Sequence, residues 1–208
     1  MKDIEKLIDF MKSVLADDHT GHNHQHSLRV LNNALKIHEG ERQGDKDIIC
    51  ASAIVHDCMD KKLFRDTDGQ IVKIRIALKS NGFNENEIEQ VLYIINNISW
   101  NNGKNVPLDN VNAMIVRDAD RLDAIGAMGI IRAIEYGTSH LRPFYEDVNL
   151  KIEDEKYTHG QDSDSTLTHF YEKLLFLKNA MHTKTGRKMA KERHKFIEQF
   201  LSRFYNEL

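Results

Sequence analysis

The sequence predicts an all-α fold in a single domain, and three observations carry that expectation. Apolar residues recur along most of the chain at the helical period of about 3.6. Only two prolines, Pro107 and Pro143, and eleven glycines punctuate 208 residues, so long helices are permitted. Strand-like alternation is confined to Val72, Ile74, Ile76 and Leu78; standing alone, that run reads as helix or irregular chain. A chain this long can bury its own core without disulfide or metal staples.

Ile4, Leu7, Ile8, Met11 and Leu15 share one face of a helix over residues 3–16. A second helix follows His26, with Val30, Leu31, Ala34 and Leu35 inward and Gly40 as its stop. Residues 46–58 are apolar almost all round, which predicts a central, buried helix. Asn84 and Glu87 resemble a capping box, opening a helix over 84–99 with Ile88, Val91, Leu92, Ile95 and Ile98 as its stripe. Val111, Met114 and Ile115 start another, expected to continue to Tyr136. Leu167, Phe170, Tyr171, Leu174 and Leu175 mark the next. Met189, Phe196, Ile197, Phe200, Leu201 and Phe204 mark the last. From about Thr138 to Ser165 no period is visible, and that segment reads as a lid-like loop or a disordered stretch. The expected layout is one domain over 1–208, with a metal core at about 20–125 and C-terminal helices at 166–207 packed on it.

Charge and composition exclude several classes. Twenty-nine Lys and Arg against 32 Asp and Glu leave a net charge of −3, with no basic tail. Nothing there draws the chain to a large nucleic acid. No apolar run approaches the roughly 18–20 residues of a membrane span, and the N-terminus lacks a signal-peptide core. Cys50 and Cys58 are too few for a disulfide framework or a cysteine-based zinc site, and they read as core thiols of a cytoplasmic protein. Histidine is the excess: eleven in all, with His19, His22, His24 and His26 close together.

His56-Asp57 falls at the end of the most apolar helix, where a buried polar pair is costly unless something satisfies it. Helical neighbours lie about 100° apart, so both side chains converge only on a ligand held between them, and a metal ion is such a ligand. His26, at the start of the preceding helix, can supply a second imidazole. A further carboxylate is expected from Arg117-Asp118-Ala119-Asp120-Arg121-Leu122-Asp123. Asp118 and Asp120, two residues apart, point to different sides, so only one of them faces the metal.

The ordered set His26…His56-Asp57…Asp120 resembles the HD-domain metal-dependent phosphohydrolases. The surrounding text is similar to a branch of small bacterial members, some of which are nucleoside triphosphate pyrophosphohydrolases. Its matching pieces are Gly21-His22-Asn23-His24-Gln25-His26 with Arg29-Val30, Ala53-Ile54-Val55-His56-Asp57, Asp60 with Lys62, and Ile98-Ser99-Trp100. Asp118 to Gly126, Arg142-Pro143 with Tyr145, and His169 to Leu175 continue the match. The resemblance implies an HD-type helical bundle, and it points to Asp120 as the fourth ligand. Asp123, one turn on, would stand behind it. Asn23 occupies a place where this branch often carries Asp, which puts any pairing of His26 through that position in doubt.

Two imidazoles and two carboxylates suit a divalent transition metal. Manganese is the first expectation, with Fe, Co, Ni, Zn or Mg as alternatives. Asp60 is a candidate to orient or deprotonate the attacking water, beside Asp57. Phosphoryl oxygens need cations. Arg121 neighbours Asp120, and the resembling segments offer Lys62, Arg142 and Lys173. His22 and His169 are further candidates for the substrate pocket, and Tyr145 could stack on a base.

The expected function is metal-dependent hydrolysis of (deoxy)nucleoside triphosphates to monophosphate and pyrophosphate. A nucleoside monophosphate phosphatase or other phosphoesterase is the alternative. A catalytically silent nucleotide-binding module and a histidine-rich metal store are the readings of other classes. The expected partner is a small nucleotide, with no membrane; a homodimer is compatible with the sequence.

Overall fold

The computed structural model describes residues 2–16, 24–61, 63–98, 107–145 and 165–208. Among them it contains nine α-helices, one 3-10 helix and no strand. None of these helices is long and apolar enough to cross a membrane. The chain divides into two compact units, with the division inside α6 (Val111–Asp123).

The first unit holds α1 (Ile4–Val14), α2 (His24–Glu41), α3 (Lys46–Val55), α4 (Thr67–Ser80), α5 (Glu85–Asn97) and α6 up to Asp120. α1, α2 and α5 all pack against α3. This is the arrangement its composition demands, since every residue from Ile48 to Val55 is buried. Each fully buried isoleucine or valine there contributes about 1.5–3 kcal/mol. The Asp45 carboxylate starts α3 by accepting from the Asp47 and Ile48 amides. α5 opens on a complete capping box: the Asn84 side chain accepts from the Glu87 amide at 3.1 Å, and Glu87 accepts from the Asn84 amide at 2.9 Å. The alternating run around Val72 lies within α4; Ile74 and Leu78, four apart, are buried, while Val72 and Ile76 are exposed. Cys50 and Cys58 are buried free thiols, both pushed upward in pKa by burial.

Two boundaries differ from expectation here. α2 runs through Gly40 to Glu41 because Arg42 adopts the left-handed conformation (φ 54°) and its amide bonds the His38 carbonyl at 2.8 Å. α3 ends at Val55, and a turn follows in which Cys58 donates to Val55 and Asp60 to Asp57.

The second unit holds α7 (Gly126–Ser139), α8 (Thr166–Glu172), a 3-10 helix (Leu174–Ala180) and α9 (Lys184–Asn206). α7 packs on α8 and α9, and the 3-10 helix lies against α8 and α9. The single helix expected from Val111 to Tyr136 is two. It breaks at Gly126, whose φ of +77° is left-handed, and a Cβ there would stand 3.0 Å from the Arg193 Cβ. Gly126→Ala should therefore destabilise this unit by about 1–2 kcal/mol from backbone strain, before any displacement of Arg193. Denaturant unfolding would measure it, and an unchanged midpoint would refute the argument. Of the apolar residues that mark α9, Ile197 and Leu201 are buried, in a stripe with Ala190 and His194, while Phe196 is 47% exposed. The loop expected from Thr138 begins later, because α7 continues to Ser139. Most of it, residues 146–164, lies outside the described residues. At its ends Thr166 donates to the Pro143 carbonyl at 3.0 Å and Leu167 to Phe144 at 2.8 Å.

Candidate metal centre

The first turn of α2, the turn after α3 and the last third of α6 meet in the first unit. His26 is 1% exposed, His56 7% and Asp57 6%. The His56 Nδ1 lies 2.9 Å from the Ala53 carbonyl, which can only accept, so that nitrogen carries the proton. In the neutral ring this leaves the Nε2 lone pair of His56 facing inward. It stands 3.2 Å from the His26 Nε2, with the rings edge to face at a 64° interplanar angle. Asp57 spans the pair, Oδ1 3.4 Å from His56 Nε2 and Oδ2 3.4 Å from His26 Nε2. His26, His56 and Asp57 thus bring ligand atoms together as a metal site requires.

Asp120 completes the ring. Its Oδ1 lies 3.4 Å from His26 Nε2 and 3.9 Å from His56 Nε2, and its side chain keeps 31% exposure. Asp118 is wholly buried and interacts with Arg117, whose guanidinium donates to the Asn97 carbonyl. Burial pushes the Asp120 carboxyl upward in pKa. The hydrogen bond from His26 and the positive fields that His56 and His26 carry in their protonated forms outweigh that and lower it from its usual value.

The donor set fits a divalent ion. Ligands about 2.1 Å from one metal are about 3.0 Å apart along an octahedral edge and about 3.4 Å apart along a tetrahedral one. Four of the five nitrogen and oxygen separations, 3.2–3.4 Å, fall in that interval, and the fifth, His56 Nε2 to Asp120 Oδ1 at 3.9 Å, is longer. A backbone carbonyl that orients a ligating imidazole through its far nitrogen, as Ala53 does, is the usual support of such a site.

Two buried asparagines, absent from the sequence expectations, tie the ligand-bearing helices. The Asn33 side-chain amide on α2 donates to the Ala119 carbonyl on α6 at 3.1 Å, and the Asp45 amide donates to Asn112 Oδ1 at 2.8 Å. Asn33 follows His26 by seven residues, two helical turns on the same stripe. A polar residue on an inward stripe is the signal that could have found it.

Asp60 is half-buried, and its backbone closes the turn after Asp57. His22, Asn23 and Lys62 lie outside the described residues. The remaining candidates belong to the second unit. Arg121 is buried and donates to the Ala180 carbonyl, with His182 Nε2 3.4 Å away. Asp123 is 1% exposed and pairs with Arg132 at 2.9 Å, so a guanidinium engages it directly. Tyr145 is exposed, with its ring 5.5 Å from that of Phe204.

Arg142, His169 and Lys173 do come together. α7 closes in a Schellman motif: Leu141 is left-handed (φ 55°), and the Arg142 amide donates to Gly137 at 2.9 Å. The Arg142 guanidinium lies over the Tyr136 ring at 5.5 Å. The Lys173 amide donates to the His169 carbonyl at 3.1 Å, ending α8. Burial, then Lys173 and Arg142, push the His169 pKa down from 6.5 to about 4. An NMR titration should find its midpoint near that value. Since the unfolded chain takes up this proton near 6.5 and the folded chain does not, this group's contribution lowers stability as pH falls from about 6.5 to 4. A His169 midpoint near 6.5 would contradict this.

The HD domain family model matches residues 23–125, the stretch that carries all four clustered side chains. Over its whole length the chain is 33% identical to YpgQ of Bacillus subtilis, of which it covers 95%. The crystal structure of Bacillus subtilis YpgQ in complex with ADP matches with a TM-score of 0.79 and 29% identity in the structural alignment, over 99% of this chain and 98% of that one. An HD-superfamily hydrolase from Bacillus thuringiensis matches with a TM-score of 0.77 and 34% identity, over 98% and 95% of the two chains. The chain belongs to the HD domain family, within the HD superfamily of hydrolases.

Proposed function

We propose that the chain is a metal-dependent phosphohydrolase of nucleotides that releases pyrophosphate from (deoxy)nucleoside triphosphates. The observation that carries the metal requirement is the fixed tautomer of His56. Its Nδ1 proton is committed to Ala53, so in the neutral ring Nε2 is the nitrogen that offers a lone pair among His26, Asp57 and Asp120. His26, His56, Asp57 and Asp120 would hold the ion, with manganese as the first candidate. A divalent ion in such a site lowers the pKa of a water and polarises a phosphoryl oxygen. Asp60, close along the chain to Asp57, would orient the attacking water. Arg142 and Lys173 would bind phosphate oxygens beside a neutral His169, which can donate or accept a hydrogen bond without adding charge. Lys62, Arg121, His22 and Tyr145 remain candidates for the same substrate. Asp123 and Asn23 remain the candidates for a supporting role outside the ligand set.

The nucleotide part of this reading is supported by the ADP bound to Bacillus subtilis YpgQ. Its test is product analysis with Mn²⁺ and a panel of nucleotides. Monophosphate plus pyrophosphate is the expected result; nucleoside plus inorganic phosphate would overturn the triphosphate assignment.

A further inference from the structure

We infer that Asn33 is a positioning residue for Asp120, setting the approach of that carboxylate to the two imidazoles. The inference rests on the metal reading above. The hydrogen bond reaches the carbonyl of Ala119, not a side chain. That carbonyl belongs to the rigid peptide unit whose far corner is the Asp120 Cα. Fixing the oxygen therefore fixes where the Asp120 side chain starts. Asn33 stands on the same stripe of α2 as His26, so one helix holds an imidazole ligand and the anchor for its carboxylate partner. The two are in register: His26 Nε2 lies 3.4 Å from Asp120 Oδ1, while the Asn33 amide lies 3.1 Å from Ala119 O.

Helix architecture alone does not require this bond. Within α6 the Ala119 carbonyl is placed to accept from the Asp123 amide, four residues on. Its second lone pair takes the Asn33 donor. At 3% exposure, an asparagine inside a helix is also a poor choice for packing or propensity. Asn112 supplies an internal comparison. It too is a buried asparagine linking ligand-bearing helices, but it accepts from Asp45 at the start of α3, the opposite end from His56 and Asp57.

The test compares Asn33→Ala and Asn112→Ala in the full chain. Co²⁺ serves as the probe, read by its visible absorption spectrum and by titration calorimetry, with circular dichroism and thermal midpoints alongside. Asn33→Ala should weaken Co²⁺ binding by about 10- to 100-fold, the usual effect of removing a group that orients a ligand, and should alter the absorption envelope. Asn112→Ala should lower the thermal midpoint while leaving the Co²⁺ spectrum as in the wild type. If Asn33→Ala does not keep its helical signal, Asn33→Ser, which retains a donor on a shorter stem, is read in its place. Wild-type affinity and spectrum in the Asn33 variant would overturn the positioning role and leave the metal reading standing. Equal loss in the Asn112 variant would reduce Asn33 to a stability element. A wild-type chain that binds no Co²⁺ would overturn both readings.

Discussion

Replacing Asp57 with alanine is expected to remove bound metal and reduce phosphohydrolase activity by at least about a hundredfold, while the helical content persists. The same holds for His56→Ala. Loss of a group that merely orients a ligand costs 10- to 100-fold in comparable sites, so loss of a ligand should cost more. Asp57 is the harsher test of the site because its two oxygens face both imidazoles at 3.4 Å, and alanine leaves no oxygen in that space. The fold should survive because the core of α3 runs from Ile48 to Val55 and ends before either residue. His56→Ala gives up one hydrogen bond to Ala53, worth about 1 kcal/mol. Elemental analysis gives the metal ratio, circular dichroism the helix, and phosphate or pyrophosphate release the activity. Full turnover in either variant would reject the assigned centre.

The clustering of His26, His56 and Asp57 was legible in the sequence because they are polar residues at places where polarity is costly, whereas the preference for Asp120 came from the family resemblance. His56-Asp57 ends a run that is apolar on every side, and the structure buries that run completely. The α5 capping box was equally plain, because both of its hydrogen bonds are local and follow from Asn84 and Glu87 alone. What escaped depended on partners remote in sequence. Gly126 breaks the α6–α7 stretch in a left-handed conformation that would crowd a side chain against Arg193, 67 residues later; the surrounding periodicity carried no sign of that contact. Arg42 and Leu141 close helices with left-handed backbone that glycine usually supplies, so Gly40 misled where Arg42 acts. Asp123 stays on the inward side of its helix, but the Arg132 that engages it lies on α7, beyond the break that periodicity missed.

The choice between the two neighbouring aspartates can be settled by opposite responses to one substitution. Asp120→Asn should reduce divalent-metal affinity and activity by about 10- to 100-fold or more, with little loss of stability. The amide keeps the shape but surrenders the charge and most of the donor strength. It also removes a negative charge that Asp57 repels, a repulsion already opposed to the depressed pKa of Asp120. Asp118→Asn should do the reverse. Asp118 is wholly buried and supplies the field that favours the charged form of Arg117, itself 2% exposed. Neutralising it leaves that buried guanidinium less compensated, at a cost of about 1–3 kcal/mol, while metal affinity stays near that of the parent. The two side chains leave α6 about 200° apart, so one ion cannot draw on both without unwinding the helix. Calorimetric titration with Mn²⁺ and denaturant unfolding of both variants decide the matter. Lost binding in Asp118→Asn with binding retained in Asp120→Asn would place the fourth ligand on the other face of α6, away from His26 and His56.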